Sequence, residues 1–548
     1  MKLAPSMHKT VKWVIGLLVF FLFLFILLYF LLGPIVKSRL IEQVSIQTAG
    51  AYSLSIKNLE FNILFGNITA QSISFKPDTA RILQDKLHED LYEITAPEIS
   101  LSGLNLWALL LDNRLSVYKL DIIRPKVRWV RNFDENDEVP ATSEDITMDA
   151  EIPPVKIDNI NLNELSLLIA SKEKNSAMLS FEKASLRVEN FLLKADSTIS
   201  MEQKINFDDI TFFVEDYTMK LPDSLNTLHF DSLKASIKHS TLIINGASMQ
   251  PRFGSREYSQ KKGEETDRIE LYNKEIYVKG LDFRALKENS QFIANLIVID
   301  SINMMVYRDK TYPIKSTEKV KLIQEQIRET SFYLRIDSLQ LNDAQITYRE
   351  KVEEGVDPGH LNFVNLNASI SNITNDIVLL NNGATMKAQA ATHLMGVGKI
   401  TGYFNFPLAN KSNAHTFYGT VSAMPLEIIN PMLRYVAFVE VKSGKLNSLS
   451  FEAQLNENTS TGSMIFKYED FKVEVLDKNK EKGVKGLVSF LANAFVIKSN
   501  NPANGELREG AMAFSRDKNK SIINYWWKTL LSGLKDTIGI PAKTENEK

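Results

Sequence analysis

The chain has 548 residues, 64 Lys and Arg against 66 Asp and Glu, and a formal net charge of −2. That balance excludes a strongly basic nucleic-acid-binding protein, and 44% hydrophobic with 24% charged residues excludes a disordered chain. The absence of cysteine excludes disulfide scaffolds, cysteine-based zinc sites, iron–sulfur clusters and thiol catalysis.

The first element is an uncharged apolar run from Val14 to Leu32, with Val14, Leu18, Phe21, Phe25, Leu28 and Leu32 along it. At about 1.5 Å per residue it spans roughly 28 Å, close to a bilayer core of about 30 Å. Trp13 and Tyr29 stand near its ends, where amphipathic rings prefer the interface. The run is longer than the apolar region of a signal peptide and no small-residue cleavage site follows it. The expected order is a cytoplasmic tail over 1–12, a transmembrane helix over 13–33 and a linker helix over 34–50, opened by Pro34. No second run of this kind follows, which predicts a single pass. Lys2, Lys9 and Lys12 precede the run, Lys37 and Arg39 follow it, and more than 500 residues lie beyond; the reading is N-terminus inside, bulk exported.

After Gly50 the pattern changes to alternation with period two, as in Ser53-Leu54-Ser55-Ile56-Lys57, Leu120 and Ile122, and Val155 and Ile157. Alternation of this kind marks strands with one apolar face. Helical stretches between them are few, which predicts a mainly β chain built as an elongated, curved antiparallel sheet. The sequence also repeats itself. Glu98 to Asn132 aligns without gaps to Glu275 to Asp309, an offset of 177; Val155 to Ile160 matches Leu334 to Leu339 at 179, and Val188 to Asn190 matches Ile370 to Asn372 at 182. Repeat 1 is assigned to 51–230 and repeat 2 to 231–380. Polar loops are predicted at Asn132–Asp149, Ser255–Arg268 and Glu350–Gly359. A third β-rich module follows over 381–515, with a helical insertion at Val484–Ile497. The last segment, 516–548, holds an amphipathic helix over Ser521–Ile538 and a polar tail; Ile523, Trp526, Trp527, Leu530, Leu534 and Ile538 read as one stripe.

The search for chemistry returns little. Asn132, Asp134 and Asn136 mimic the start of a calcium loop, but Asp137 and Ser143 stand where Gly and Glu belong. Gly396-Val397-Gly398-Lys399 lacks the spacing of a phosphate loop and reads as a strand turn. The histidines are scattered, and no nucleophile elbow is present. The expectation is a non-enzyme with no cofactor, no metal and no nucleic-acid partner.

A sheet with one apolar face must cover it. It can close on itself, or it can leave a trough in which acyl chains gain about 0.8 kcal/mol per buried CH₂. Alternation alone does not separate the two. The trough candidates are the apolar positions shared by the two copies: Ile99 with Ile276, Leu101 with Val278, Ile122 with Ile299, and Ile157 with Ile336. Trp526 and Trp527, with Leu530 and Leu534, are candidates for a core cap, a membrane contact or a partner contact.

The anchor, the stretch from Tyr52 through Phe61, Gly66-Asn67-Ile68 and Ser74-Phe75, and the C-terminal Phe417-Tyr418-Gly419, Pro425-Leu426, Asn430-Pro431, Ser443-Gly444, Thr461-Gly462, Tyr468 and Arg516-Asp517 together resemble the AsmA-like family of Gram-negative envelope proteins related to TamB, nearest to its Bacteroidetes members. The resemblance covers nearly the whole chain in layout, through loose, strand-like motifs. It implies an inner-membrane anchor, a periplasmic β-groove, phospholipid as ligand, and a role in lipid transport to the outer membrane or in its assembly and integrity. It implies no catalytic residues. Roughly twenty strands at about 4.8 Å make a short trough of about 95 Å, so a periplasmic or outer-membrane protein partner is expected to complete a path. The alternative is an envelope scaffold that docks outer-membrane assembly factors and binds no lipid.

Overall fold

The computed structural model describes residues 34–62, 66–78, 90–131, 154–171, 176–194, 204–315, 318–353, 355–476 and 497–539. The predicted anchor, the acidic loop at 132–149 and the helix at 484–497, apart from Ile497, lie outside them. The structure is 61% strand and 16% helix, too little helix to separate successive strands as a βαβ fold requires.

The chain divides into two compact units. One takes residues up to Tyr217 together with Asp231–Leu242; the other takes Thr218–Phe230 and the chain from Ile243 on. The first unit contains α1 (Pro34–Gln47), β1 (Tyr52–Asn62), β2 (Asn67–Pro77), β3 (Leu91–Leu104), α2 (Leu106–Asp112), β4 (Leu115–Ile123), β5 (Lys126–Arg131), β6 (Val155–Ser171), β7 (Ser176–Leu193) and β8 (Ile205–Asn206). Strands β9 (Asp209–Lys220), β10 (Asn226–Ser236) and β11 (Thr241–Pro251) give residues to both. The second unit contains α3 (Ser255–Lys262), β12 (Asp267–Lys279), α4 (Phe283–Asn289), β13 (Phe292–Asp309), α5 (Ile323–Arg328), β14 (Leu334–Lys351), β15 (Gly359–Thr374), α6 (Ile377–Asn381), β16 (Thr385–Leu394) and β17 (Gly398–Pro407). It continues with β18 (His415–Val421), β19 (Met424–Pro425), α7 (Asn430–Val436), β20 (Val439–Leu455), β21 (Thr459–Val475), β22 (Glu509–Ser515) and α8 (Ile522–Thr537).

In both units the pairing registers apolar residues opposite one another. One row in the first unit runs Leu59–Ala70–Ile99–Ile122–Leu162–Leu186–Phe212 across β1, β2, β3, β4, β6, β7 and β9. Directly paired residues share a face, so each row is one course of a continuous apolar surface. In the first unit this surface is buried: Leu54, Ile56, Ile73, Ile94, Ile99, Leu120 and Ile160 belong to one core, to which α1 contributes Leu40 and Val44.

The sheet is mixed, which corrects the antiparallel expectation. β4 and β5 pair with β6 in parallel, and β13 pairs with β14 in parallel. Period-two alternation is the same for either direction; only the connection tells them apart, because a parallel neighbour requires a crossover rather than a hairpin. The crossover from β13 to β14 occupies 310–333 and carries α5. A second correction falls on Ser255–Arg268. Its first half is α3, with Gly254 at its N-cap, Lys261 and Lys262 in its last turn and left-handed Gly263 ending it.

The two copies carry corresponding elements: β3, α2 and β4–β5 match β12, α4 and β13, and β6 and β7 match β14 and β15. Asn105 caps α2 by accepting from Ala108 N, and Asp282 caps α4 by accepting from Ala285 N. Left-handed backbone recurs as well: Gly103 and Gly280 both have φ +69°, Arg124 faces Ser301, Glu164 faces Asp343, and Lys183 faces Asn365. The pairing shifts between Leu162 and Leu165 in one copy and between Leu341 and Ala344 in the other. Bulges of this kind bend a strand and increase its twist. A Cβ on Gly103 would lie 2.7 Å from Tyr118 Cβ, and one on Gly280 2.5 Å from Asn295 Cγ. Gly103→Ala and Gly280→Ala are each expected to cost about 1–3 kcal/mol, read as a lower urea midpoint.

Candidate functional site

The structure divides the eight trough candidates. In the first copy, Ile99 and Leu101 are 1% exposed, Ile122 5% and Ile157 0%. All four are inside the core that α1 helps to cover. In the second copy Val278 and Ile336 are buried, but Ile276 and Ile299 are half-buried.

Ile276 and Ile299 belong to the row Ile276–Ile299–Leu341–Ala368–Ala390–Gly402, which crosses β12 to β17. The five residues from Ile276 to Ala390 are all half-buried. Two positions along the strands runs a second row, Val278–Ile297–Leu339–Ile370–Ala388–Phe404. In the first row side chains shrink from Ile and Leu on β12–β14 to Ala and Gly on β15–β17, while the second row keeps Ile370 and Phe404 there. The positions matched to Ile276, Ile299 and Leu341 are Ile99, Ile122 and Leu162, and those are buried.

The far end of this surface is closed. The crossover lays Ile327 of α5 against Met386 and Phe406, with Ile370 and Ile373 beside them. It is held by distant parts of the unit: Gln324 Nε2 donates to Asn413 O at 3.1 Å, Arg328 Nη1 to Leu408 O at 2.7 Å, and Val320 N to Lys518 O at 2.8 Å. Arg516 donates to Val320 O and to Glu457 Oε1. The strands end at the other side in a charged row, Asp267–Arg308–Glu350. There Arg308 makes a two-pronged pair with Asp267 at 2.7 and 2.6 Å, and Lys310 donates to Glu350 at 2.7 Å. Burial works against the Arg308 charge, but the Asp267 carboxylate outweighs it and holds the guanidinium firmly protonated.

Helix α8 completes the closure with a face that differs from the predicted stripe. Tyr525, Thr529, Ser532, Gly533 and Thr537 are its buried side. Small residues there let the helix approach β22 closely: a Cβ on Gly510 would lie 2.5 Å from Gly533 O. Trp526, Leu530 and Leu534 are partly buried against the core of β18–β22. Trp526 packs on Phe404 and Phe417, with ring centroids 4.6 and 5.5 Å away. Trp527, one residue and about 100° further round the helix, is 51% exposed. The pair is therefore split, Trp526 toward the sheet and Trp527 toward solvent.

Trp526 is tied down by His415, which sequence reading left among the scattered histidines. Its Nε2 accepts from Trp526 Nε1 at 3.2 Å, while its Nδ1 lies 2.9 Å from Asn413 O. The ring is thus neutral, with the Nδ1 proton on the carbonyl. Burial pushes its pKa below the ordinary histidine value, and the Arg516 charge adds to this against the Asn413 hydrogen bond.

Asn273 is a further residue missed by pattern reading. It occupies the position of Ala96 in the first copy and is 1% exposed. Its amide donates to Asp300 O at 2.7 Å, while Oδ1 is without a partner among the described residues. On the β15–β18 strands a shallow polar cleft of about 240 Å³ opens between Ser369, Lys387, Gln389, Tyr403 and Tyr418. Met395, Gly396 and Val397 form the turn from β16 to β17, and Gly398 and Lys399 open β17. Among the described residues no three His, Asp or Glu side chains gather to hold a metal, and no helix is long and apolar enough to cross a membrane. No family model matches the chain, and no curated protein matches it significantly.

Two outcomes are expected from this geometry. Ile99→Glu places an unpaired charge in a closed core and should cost about 4 kcal/mol or more, losing the first unit's cooperative unfolding. Ile276→Glu, at a half-open position, should keep strand content by circular dichroism and lower the urea midpoint far less. For His415, the unfolded ring takes up a proton as pH falls through about 6.5, while the folded ring resists it. Stability should be complete above that range and decline below it, and the difference between wild type and His415→Gln in urea titrations at pH 8 and pH 5.5 should show the loss.

Proposed function

We propose that this chain is a membrane-anchored, non-enzymatic protein of AsmA-like type that binds phospholipid acyl chains in a β-groove. Its place would be the bacterial inner membrane, with the bulk in the periplasm, and its role the supply of lipid to the outer membrane or the upkeep of that membrane. The observation that carries this reading is the half-open apolar surface of the second copy, at positions that the first copy buries. Five strand spacings from β12 to β17 make about 24 Å. An acyl chain in one leaflet occupies about 15 Å, half of a bilayer core of about 30 Å. The surface is thus long enough for one tail, and about 0.8 kcal/mol per buried CH₂ supplies the affinity. The uncharged run at 14–32 supports the anchor, and the resemblance of layout supports the envelope location.

The scaffold reading has one observation in its favour: Ile523 and Trp527 stand 70% and 51% exposed on the outer side of α8. A photo-crosslinking experiment separates the two. Full-length protein in phospholipid nanodiscs, carrying a benzophenone amino acid in place of Leu341, is expected to gain the mass of a phospholipid on irradiation. The same group in place of Gln340, on the opposite face of β14, is expected to gain none. Equal labelling at both, or none in place of Leu341, would sink the groove and leave the scaffold.

A further inference from the structure

The two copies differ in the short helix after their first matched strand. In the first copy α2 reads Leu-Trp-Ala-Leu-Leu-Leu-Asp; in the second, α4 reads Phe-Arg-Ala-Leu-Lys-Glu-Asn. Both helices have a side-chain N-cap, a left-handed glycine before it and a left-handed C-cap residue, so the fold does not call for the difference. Trp107 and Leu111, one turn apart on α2, are 73% and 76% exposed, and Tyr118 is 60% exposed. Tyr118 stands beside Gly103, at the root of the helix. Their counterparts in the second copy are Arg284, Glu288 and Asn295. Three neighbouring large apolar groups in water are a cost that the polar copy avoids.

The placement of α2 indicates what covers them. Helix α1 runs back over β1: its C-terminal end leads into Tyr52, while Lys37 near its start donates to Lys57 O at 3.0 Å. Pro34 therefore points toward the Asn62 end of β1, and the uncharged run ends at Leu32, two residues earlier. Helix α2 sits at that same end. Leu104 N donates to Gly66 O at 3.0 Å, and Gly103 N to Asn67 Oδ1 at 3.4 Å, at the turn from β1 to β2.

We propose that Trp107, Leu111 and Tyr118 dock α2 into the headgroup layer of the same bilayer that holds the 14–32 run, making a second membrane contact beside the anchor. Trp and Tyr are the side chains that favour this layer, and Leu111 reaches the acyl boundary. The inference rests on the anchor reading given above.

The chain has no cysteine, so a single introduced one can carry a nitrobenzoxadiazole probe. Full-length Leu111→Cys, Arg284→Cys and Phe21→Cys are labelled and reconstituted into phosphatidylethanolamine–phosphatidylglycerol vesicles. Docking predicts that probes at 111 and 21 are quenched by acyl-chain spin-labelled lipid and shielded several-fold from iodide, while the probe at 284 behaves oppositely. A Tyr118→Cys probe should lose lipid quenching when Trp107→Arg and Leu111→Glu are added, changes the second copy already accepts. If the probe at 21 is quenched by lipid but that at 111 is not, docking fails and the anchor stands. A probe at 111 shielded from iodide without lipid quenching means a protein surface covers α2, which also overturns the proposal. Absence of lipid quenching at 21 overturns the anchor and the docking together.

Discussion

Both units are built on one constraint: paired strands bring apolar side chains into rows on a single face, and that face must be kept from water. The two copies meet it differently. In the first, α1 and the surrounding strands bring Ile99, Leu120 and Ile157 to almost complete burial. In the second, cover comes from α5 and Trp526, which reach only one end of the rows. What remains uncovered from Ile276 to Ala390 follows from where those two elements stop. Trp526 is held there by its stacking on Phe404 and Phe417 and by its hydrogen bond to His415.

Much of this was legible in the sequence, because the relevant signals are local. The period of two placed strands at Ser53–Lys57 and Val155–Ile157, and the gapless match of Glu98–Asn132 to Glu275–Asp309 reflects elements that recur at the same spacing. The parallel pairing of β13 with β14 was not legible, since alternation carries no direction and α5 is only six residues long. Helix α3 looked like a charged loop because its stabilising features are its ends, Gly254 and Gly263, rather than an apolar stripe. The burial of Ile99 and the half-burial of Ile276 come from identical residues in matched strands. Their difference lies in what packs over them, and no residue-by-residue pattern records that. The split of Trp526 from Trp527 has the same origin: α8 approaches β22 through Thr529 and Gly533, which a search for apolar side chains passes over.

The crossover at 310–333 has a consequence for the order in which the second unit forms. One of its holding bonds reaches far along the chain: Arg516 meets Val320 across 196 residues. A chain emerging N-terminus first can pair β12 with β13 early, but the crossover gains its grips in steps: Leu408 and Asn413 hold Arg328 and Gln324 first, and Arg516 and Lys518 hold Val320 only later. Until Leu408 and Asn413 arrive α5 has no hold beside Met386 and Phe406, and until Trp526 arrives Phe404 lacks its cover. Residues 516–537 thus complete a closure that α5 has already begun. The interval before they arrive is when the nascent unit is most exposed to aggregation, and when a chaperone would have its largest target.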